Sequence, residues 1–371
     1  MFEKQDLQVF FEKNLDRLWS KNRFDERVCA VGVSGGADSL ALALLLQNWC
    51  QKRGIRLVAL TVDHRLRKES AQEASFVAEV MKKFGIFHQV LVWEGDKPQK
   101  GIEEAAREAR YDLIASWSQK NQVDVLFVAH HLRDQAETFL MRLQRGSGVD
   151  GLACMQDVSY RKGLKIVRPL LSVPPEDLRD FLRKNNLEWV EDPSNQEDDF
   201  LRVRVRKILP ELYDKIGLTQ ERLADTAERM SRVRDFFEKQ TEDFVCSNVC
   251  FYEQSGCSFA WKNWQVLHEE MRLRVLSFLL RKVGKKVYPP RLDDLENLAS
   301  SLMQENFRGR TLCGCEIFVQ NKKVWLTREN ENGFVLPRKV WDDFVLNGAF
   351  DKKKKLPYKL RVALFLEKNK G

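Results

Sequence analysis

A chain of 371 residues is too long for one compact core, so two or three domains are expected. Hydrophobic residues at 43% and charged residues at 31% fit a globular protein and exclude a disordered or fibrous one. The net charge of +8 favours a polyanionic partner, and eight scattered cysteines argue against a disulfide-stapled secreted domain.

The N-terminus has neither a basic n-region nor an apolar h-region, which gives the expectation of a cytoplasmic protein. It reads instead as an amphipathic helix carrying Leu7, Phe10, Phe11, Leu15 and Leu18 on one face. Val28–Val33 is an apolar run that predicts a buried strand, and Leu40–Leu46 predicts a buried helix. That helix run is seven residues, far below the roughly 20 that a membrane span needs, so no membrane association is expected.

Between strand and helix lies Ser34-Gly35-Gly36-Ala37-Asp38-Ser39. Glycines there permit positive φ and close backbone approach, and the free N–H groups of the first helical turn form an anion site. Ser34 and Ser39 add hydroxyl donors, and Asp38 is a candidate for holding hydrated Mg²⁺ on phosphate oxygens. The loop is neither a Walker A motif, lacking its Lys, nor a Rossmann fingerprint.

Further strands are predicted at 55–62, 86–93, 124–129 and 164–168, alternating with helices at 38–51, 69–84, 101–120, 132–144 and 174–186. Such alternation implies an α/β domain with a parallel sheet and helices on both faces, with ligands beyond the carboxyl ends of the strands. Four segments fall at or near those ends: Val62–Arg67, Ala106–Tyr111, Ala129–Thr138 and Arg145–Gly148. His130 and Asp134 share a helix face, which suits proton transfer or metal contact, and His131 lies within a turn of Asp134. Arg107 and Arg110, one turn apart, can face one carboxylate or phosphate.

The first domain is expected to end near residue 210, after Arg168–Leu171, Glu191–Asn195 and Leu201–Arg206. Arg202, Arg204 and Arg206 would share one face of a strand or spread around a helix, and either way place three cations there for a nucleic-acid backbone. Residues 211–330 read as mainly helical, with stretches at 219–240 and 264–283, a break at Pro289-Pro290, and a small β-like end within 309–327. Residues 331–371 read as a short basic extension holding Lys352–Lys355. Cys246, Cys250, Cys313 and Cys315 could gather zinc, although their spacings fit no common zinc module.

The Ser34–Ser39 loop resembles that of the N-type ATP pyrophosphatases, the PP-loop (adenine nucleotide alpha hydrolase-like) superfamily. The ordered set Ser34–Ser39, Val62–Arg67, Ala106–Tyr111, Ala129–Thr138, Arg145–Gly148, Arg168–Leu171 and Glu191–Asn195 is similar to the tRNA(Ile)-lysidine synthases. The resemblance departs at Val203, where the family usually has Asn. It implies ATP and Mg²⁺ as cofactors, with free L-lysine and a tRNA(Ile) bearing a CAU anticodon as substrates and a homodimer as a further candidate assembly. The implied reaction adenylates O2 of the wobble cytidine, releases pyrophosphate, and lets lysine displace AMP from C2. On that reading Ser34–Ser39 bind the nucleotide, Asp38 holds the metal, Asp134 or His130 accepts the lysine proton, and Arg110 holds the lysine carboxylate or the α-phosphate. Two rivals remain open: a PP-loop tRNA thiolase, and a non-catalytic nucleotide- or RNA-binding protein.

Overall fold

The computed structural model describes residues 6–66, 70–95, 97–98, 101–191, 201–253, 255–330 and 356–368. The chain divides into two compact units, Met1–Arg232 and Val233–Gly371.

The first unit holds α1 (Leu7–Lys21), β1 (Val28–Gly32), α2 (Ala37–Arg53), β2 (Arg56–Asp63), α3 (Ser70–Lys83), β3 (Phe87–Val92), α4 (Ile102–Asn121) and β4 (Val125–Phe127). It continues with α5 (Leu132–Gln144), α6 (Val149–Leu152), β5 (Val158–Arg161), β6 (Leu164–Val167), α7 (Pro175–Lys184), α8 (Leu201–Ile216) and the start of α9 (Gln220–Asn248). Its six strands run in the order β3-β2-β1-β4-β6-β5. All neighbours are parallel except β5, which pairs antiparallel to β6 as an edge hairpin.

Side-chain alternation assigns each strand residue to one of two cores. Cys29, Val31, Leu57, Ala59, Val125 and Phe127 join α2 and α7 on one face, while Ala30, Val58, Leu60 and Leu126 meet Tyr111 and Ile114 of α4 on the other. Because α2 buries every residue from Ser39 to Leu46, it is apolar all round and not amphipathic. Of the apolar residues expected on one face of α1, Phe11, Leu15 and Leu18 are buried, whereas Phe10 is half exposed.

The boundary at Arg232 lies beyond the break expected near residue 210. Pro210 sits inside α8, and that helix stays with the first unit because Arg202 and Arg206 bind Glu137 of α5.

The second unit contains β7 (Cys250–Tyr252), β8 (Gly256–Ala260), α10 (Trp261–Gln265), α11 (Glu269–Gly284), α12 (Leu292–Leu302), β9 (Arg310–Leu312), β10 (Cys315–Gln320), β11 (Lys323–Arg328) and α13 (Tyr358–Lys368). The β-like end expected within 309–327 is part of a five-stranded sheet in the order β7-β8-β11-β10-β9, antiparallel throughout. Lys352–Lys355 lie outside the described residues. Of the basic extension, α13 packs Leu360, Val362 and Leu364 on the stacked Tyr252, Trp325 and Phe318 of the sheet. Glu367 ties it down further by pairing with Lys285 and Arg328.

All eight cysteines are free, and no group of three or more metal-ligating side chains occurs among the described residues. No helix among them is long and apolar enough to cross a membrane.

Leu360 is fully buried in that cluster. Leu360→Ala is therefore expected to destabilise the second unit by about 2–4 kcal/mol, read as a lower denaturant midpoint, with ATP binding by the first unit unchanged.

Candidate functional site

The strand order creates the site. From β1 the chain crosses to β2 and β3 on one side, then returns to β4 on the other, so the connections diverge at the carboxyl ends of β1 and β4. An open crevice forms where such a reversal occurs. The Ser34–Ser39 loop follows β1 into it, and His130-His131 follow β4.

In the loop, Gly35 takes φ +89°, and a Cβ there would also stand 3.3 Å from Val77. Glycine is thus favoured by conformation, and a larger residue would also press on Val77. Gly36 is the N-cap of α2 and supplies no side-chain cap, so the first-turn N–H groups are left to a ligand. Ser39 braces the loop from within: its hydroxyl donates to the Gly36 carbonyl at 3.0 Å and accepts from the Ser34 N–H at 3.1 Å. Ser34 is exposed at the mouth of the loop. Behind it, the Thr61 hydroxyl donates to the Val33 carbonyl at 2.8 Å and meets His88 Nε2 at 2.8 Å.

His131 connects the two halves of the crevice. It is the N-cap of α5, in a capping box where its N–H donates to Asp134 Oδ2 at 3.0 Å and the Asp134 N–H donates to His131 Nδ1 at 3.4 Å. An accepting Nδ1 leaves the proton on Nε2, which faces Asp38 Oδ2 at 3.4 Å. Burial disfavours charge on His131, but its hydrogen bond to Asp38 and the charges of Asp134 and Asp38 prevail and raise its pKa. Burial likewise opposes ionisation of Asp134, yet His131, Arg202 and His130 hold its carboxyl below the usual range.

From Asp134 the ionic chain continues through Arg202, 2.8 Å away, to Glu137, which accepts from Arg202 Nε at 2.6 Å and Arg206 Nε at 2.7 Å. Arg202 and Arg206 are thus committed to carboxylates and do not form the open row of cations expected for a nucleic acid. Arg204 is exposed, and Val203, the departure from the family pattern, is buried.

His130 is driven the other way: burial, reinforced by Arg168, Arg202 and Arg107 and opposed by Asp134, brings it down to about 4. It is therefore neutral at physiological pH, and its Nδ1 is buried without a hydrogen-bond partner. Arg110 on α4 approaches His64 Nε2 at 3.4 Å, beyond the end of β2, so it is not placed on the Asp38–His131–Asp134 line. Burial, with the nearby Arg110, also brings His64 down to about 4. Of Val62–Arg67 and Glu191–Asn195, Arg67 and residues 192–195 lie outside the described residues.

Asp38, His130 and Asp134 therefore meet in one crevice. His131 and Glu137 are the members that the sequence reading did not place among the site residues. For Glu137 a signal existed in the i, i+4 spacing of Arg202 and Arg206, which only a helix directs at one carboxylate.

The PP-loop ATP-binding domain family matches residues 7–212, the part of the chain that carries this loop and sheet. The chain is 36% identical over 303 residues to the tRNA(Ile)-lysidine synthase of Ruegeria pomeroyi, covering 82% of this chain and 71% of that protein. It is 34% identical over 328 residues to that of Wolbachia pipientis wMel, covering 88% and 75%. In fold, it superposes on the U34-tRNA thiolase NcsA from Methanococcus maripaludis, a structure containing an iron–sulfur cluster, with a TM-score of 0.51 and 18% identity over 60% of this chain and 78% of that one. The chain belongs to the tRNA(Ile)-lysidine synthase family and is an enzyme of that type.

The depressed pKa of His130 has a definite sign. A folded state that resists protonation is most stable above the unfolded value near 6.5 and loses that stability as pH falls toward about 4. Its contribution across that window is on the order of 3 kcal/mol. Urea midpoints between pH 7 and 4 are expected to fall less steeply for His130→Gln than for the wild type.

Proposed function

We propose that the enzyme joins free lysine to C2 of the wobble cytidine in the CAU anticodon of a tRNA(Ile). In the first step O2 of the cytosine attacks the α-phosphorus of ATP, forming an O–P bond and expelling pyrophosphate. In the second, the ε-amine of lysine attacks C2, and the C2–O2 bond breaks so that O2 leaves on AMP. The observation that carries this reading is the Asp38–His131–Asp134 connection across a phosphate loop, in a chain that belongs to this family.

Each residue fits a part of that chemistry. The first turn of α2 suits the β- and γ-phosphates, which become pyrophosphate. Asp38 fits Mg²⁺, since its Oδ1 is a buried carboxylate oxygen with no hydrogen-bond partner. An ion held there would neutralise charge on the leaving group. Arg110 suits an anionic group, either the lysine carboxylate or the α-phosphate.

A lysine ammonium has a pKa of roughly 10.4 and must lose its proton before it attacks. Asp134, ion-paired and held low, is a weak acceptor. His130 is neutral with an unpartnered Nδ1, and the negative charge of the adenylate phosphate would raise its basicity. The geometry therefore favours His130 as acceptor and Asp134 as the group that orients His131 and Arg202.

The thiolase alternative is opposed by the thiols of the first unit. Cys29 and Cys50 are buried in the apolar core; burial pushes the Cys29 thiol up, and that of Cys50 up to about 12. Cys154, also raised by burial, stands at about 11. None is a thiolate at neutral pH.

Incubation with ATP and a CAU-anticodon tRNA should release AMP only when lysine is added. Asp38→Ala should reduce pyrophosphate release at least a hundredfold while tRNA binding stays near wild type. Pyrophosphate release at the wild-type rate by folded Asp38→Ala would remove Asp38 from the metal role, and lysine-independent AMP would count against the ligation itself. In rapid-mixing experiments His130→Gln should slow AMP release more than pyrophosphate release, so that adenylated tRNA accumulates, whereas Asp134→Asn should slow both steps. Equal loss of both steps in His130→Gln would remove His130 as the acceptor.

A further inference from the structure

The second unit carries its most exposed aromatic side chain, among the described residues, on the loop between α11 and α12. Between α11 and α12 runs Lys285-Lys286-Val287-Tyr288-Pro289-Pro290-Arg291, in which Tyr288 is 80% exposed and Val287 76%. The loop is held firmly at both ends. At its start, a Cβ on Gly284 would stand 2.2 Å from the Cys313 carbonyl, so the backbone is pressed against the neighbouring turn. Lys285 caps α11 in the left-handed region at φ 53°, and its ammonium is fixed on Glu367 of α13 at 2.7 Å. At the other end, consecutive prolines lead into α12, whose Leu295 and Leu298 are buried in the same core as Val283 of α11.

The charges around Tyr288 are mostly positive. Lys286 and Arg291 are exposed, and neither makes an ion pair among the described residues. Asp293 and Asp294 follow in the first turn of α12, where they complement the helix dipole. A ring with a flat open face, little conformational entropy to lose and cations beside it suits an unstacked nucleic-acid base with its phosphates.

We propose that Tyr288 is a stacking platform for an unpaired base of the tRNA, with Lys286 and Arg291 on the adjoining phosphates. This rests on the reading of a tRNA as substrate. It adds a contact in the second unit, where no part of the chemistry is assigned. Tyr288 is a binding residue here and has no part in the reaction.

The test uses the full chain and a CAU-anticodon tRNA transcript, with binding measured by anisotropy at several salt concentrations and turnover measured as AMP release. Because Tyr288 is exposed, its substitution leaves the core intact. Tyr288→Ala is expected to weaken tRNA binding roughly tenfold and raise KM for tRNA equally, with kcat at saturating tRNA unchanged. Tyr288→Trp should restore binding, since it keeps a ring to stack on, and its added fluorescence should be quenched by tRNA. Lys286→Ala and Arg291→Ala should each reduce the log–log salt slope by about 0.7–0.9, which Tyr288→Ala should not. Wild-type affinity in Tyr288→Ala, or equal weakening in Tyr288→Trp, would overturn the proposal. So would a concentration-dependent self-association that Tyr288→Ala abolishes without affecting tRNA, because the ring would then serve a second copy of the chain. If the wild type binds no tRNA at all, the substrate reading itself fails, a result distinct from normal binding by Tyr288→Ala.

Discussion

Glu137 is a fully buried carboxyl group on α5, and it is paired with two guanidinium groups, Arg202 and Arg206, on α8. A carboxylate in an apolar interior is tolerated only when paired and hydrogen-bonded, so this contact dictates where α8 lies. Arg202 also reaches Asp134 and, together with His131, helps to hold its carboxyl below the usual range. Asp134 in turn fixes the His131 ring by the capping box, and His131 reaches Asp38 at the start of α2. One ionic line thus runs from α8 to the Ser34–Ser39 loop at the start of α2. Loss of one partner from a fully buried pair costs about 3–5 kcal/mol, and less here because Arg202 and Arg206 reach solvent. The larger consequence would be for the geometry of the loop.

The line also sorts the two adjacent histidines. His131, between two carboxylates, is inclined to carry charge; His130, among Arg107, Arg168 and Arg202, is inclined to lose it. Neighbouring residues of one type thereby acquire opposite tendencies, which is how a single crevice can stabilise negative charge in one place and accept a proton in another.

What could be read from the sequence follows the strength of local signals. Val28–Val33 and Leu40–Leu46 are apolar without interruption, so β1 and α2 were legible, and the six loop residues between them fixed the crevice. The edge strand β5 was missed because Val158-Ser159-Tyr160-Arg161 has little apolar content and pairs only on one side. Strands β7 and β8 were hidden within a stretch read as helical, since Cys250–Tyr252 spans three residues and Gly256–Ala260 is built of Gly, Cys, Ser, Phe and Ala. His131 was not chosen over His130 because the distinction is conformational: the extended backbone of the N-cap, at φ −126° and ψ −176°, turns its ring toward Asp38. Arg202 and Arg206 could not be given a partner until their segment was known to be a helix facing Glu137. Docking of α13 was foreshadowed by Leu360, Val362 and Leu364, but its seat on Phe318 and Trp325 depends on a sheet that brings distant segments together.

The central claim is that this crevice transfers lysine to a cytidine within tRNA. It is tested most directly by identifying the product: tRNA incubated with the enzyme, ATP and isotopically labelled lysine is digested in parallel to nucleosides and to ribonuclease fragments, and both are analysed by mass spectrometry. The account predicts one cytidine derivative per tRNA, heavier by one lysine less one water, carrying the label and located at the first anticodon position. Unmodified cytidine alongside released AMP, or a nucleoside in which sulfur has replaced oxygen, would contradict it.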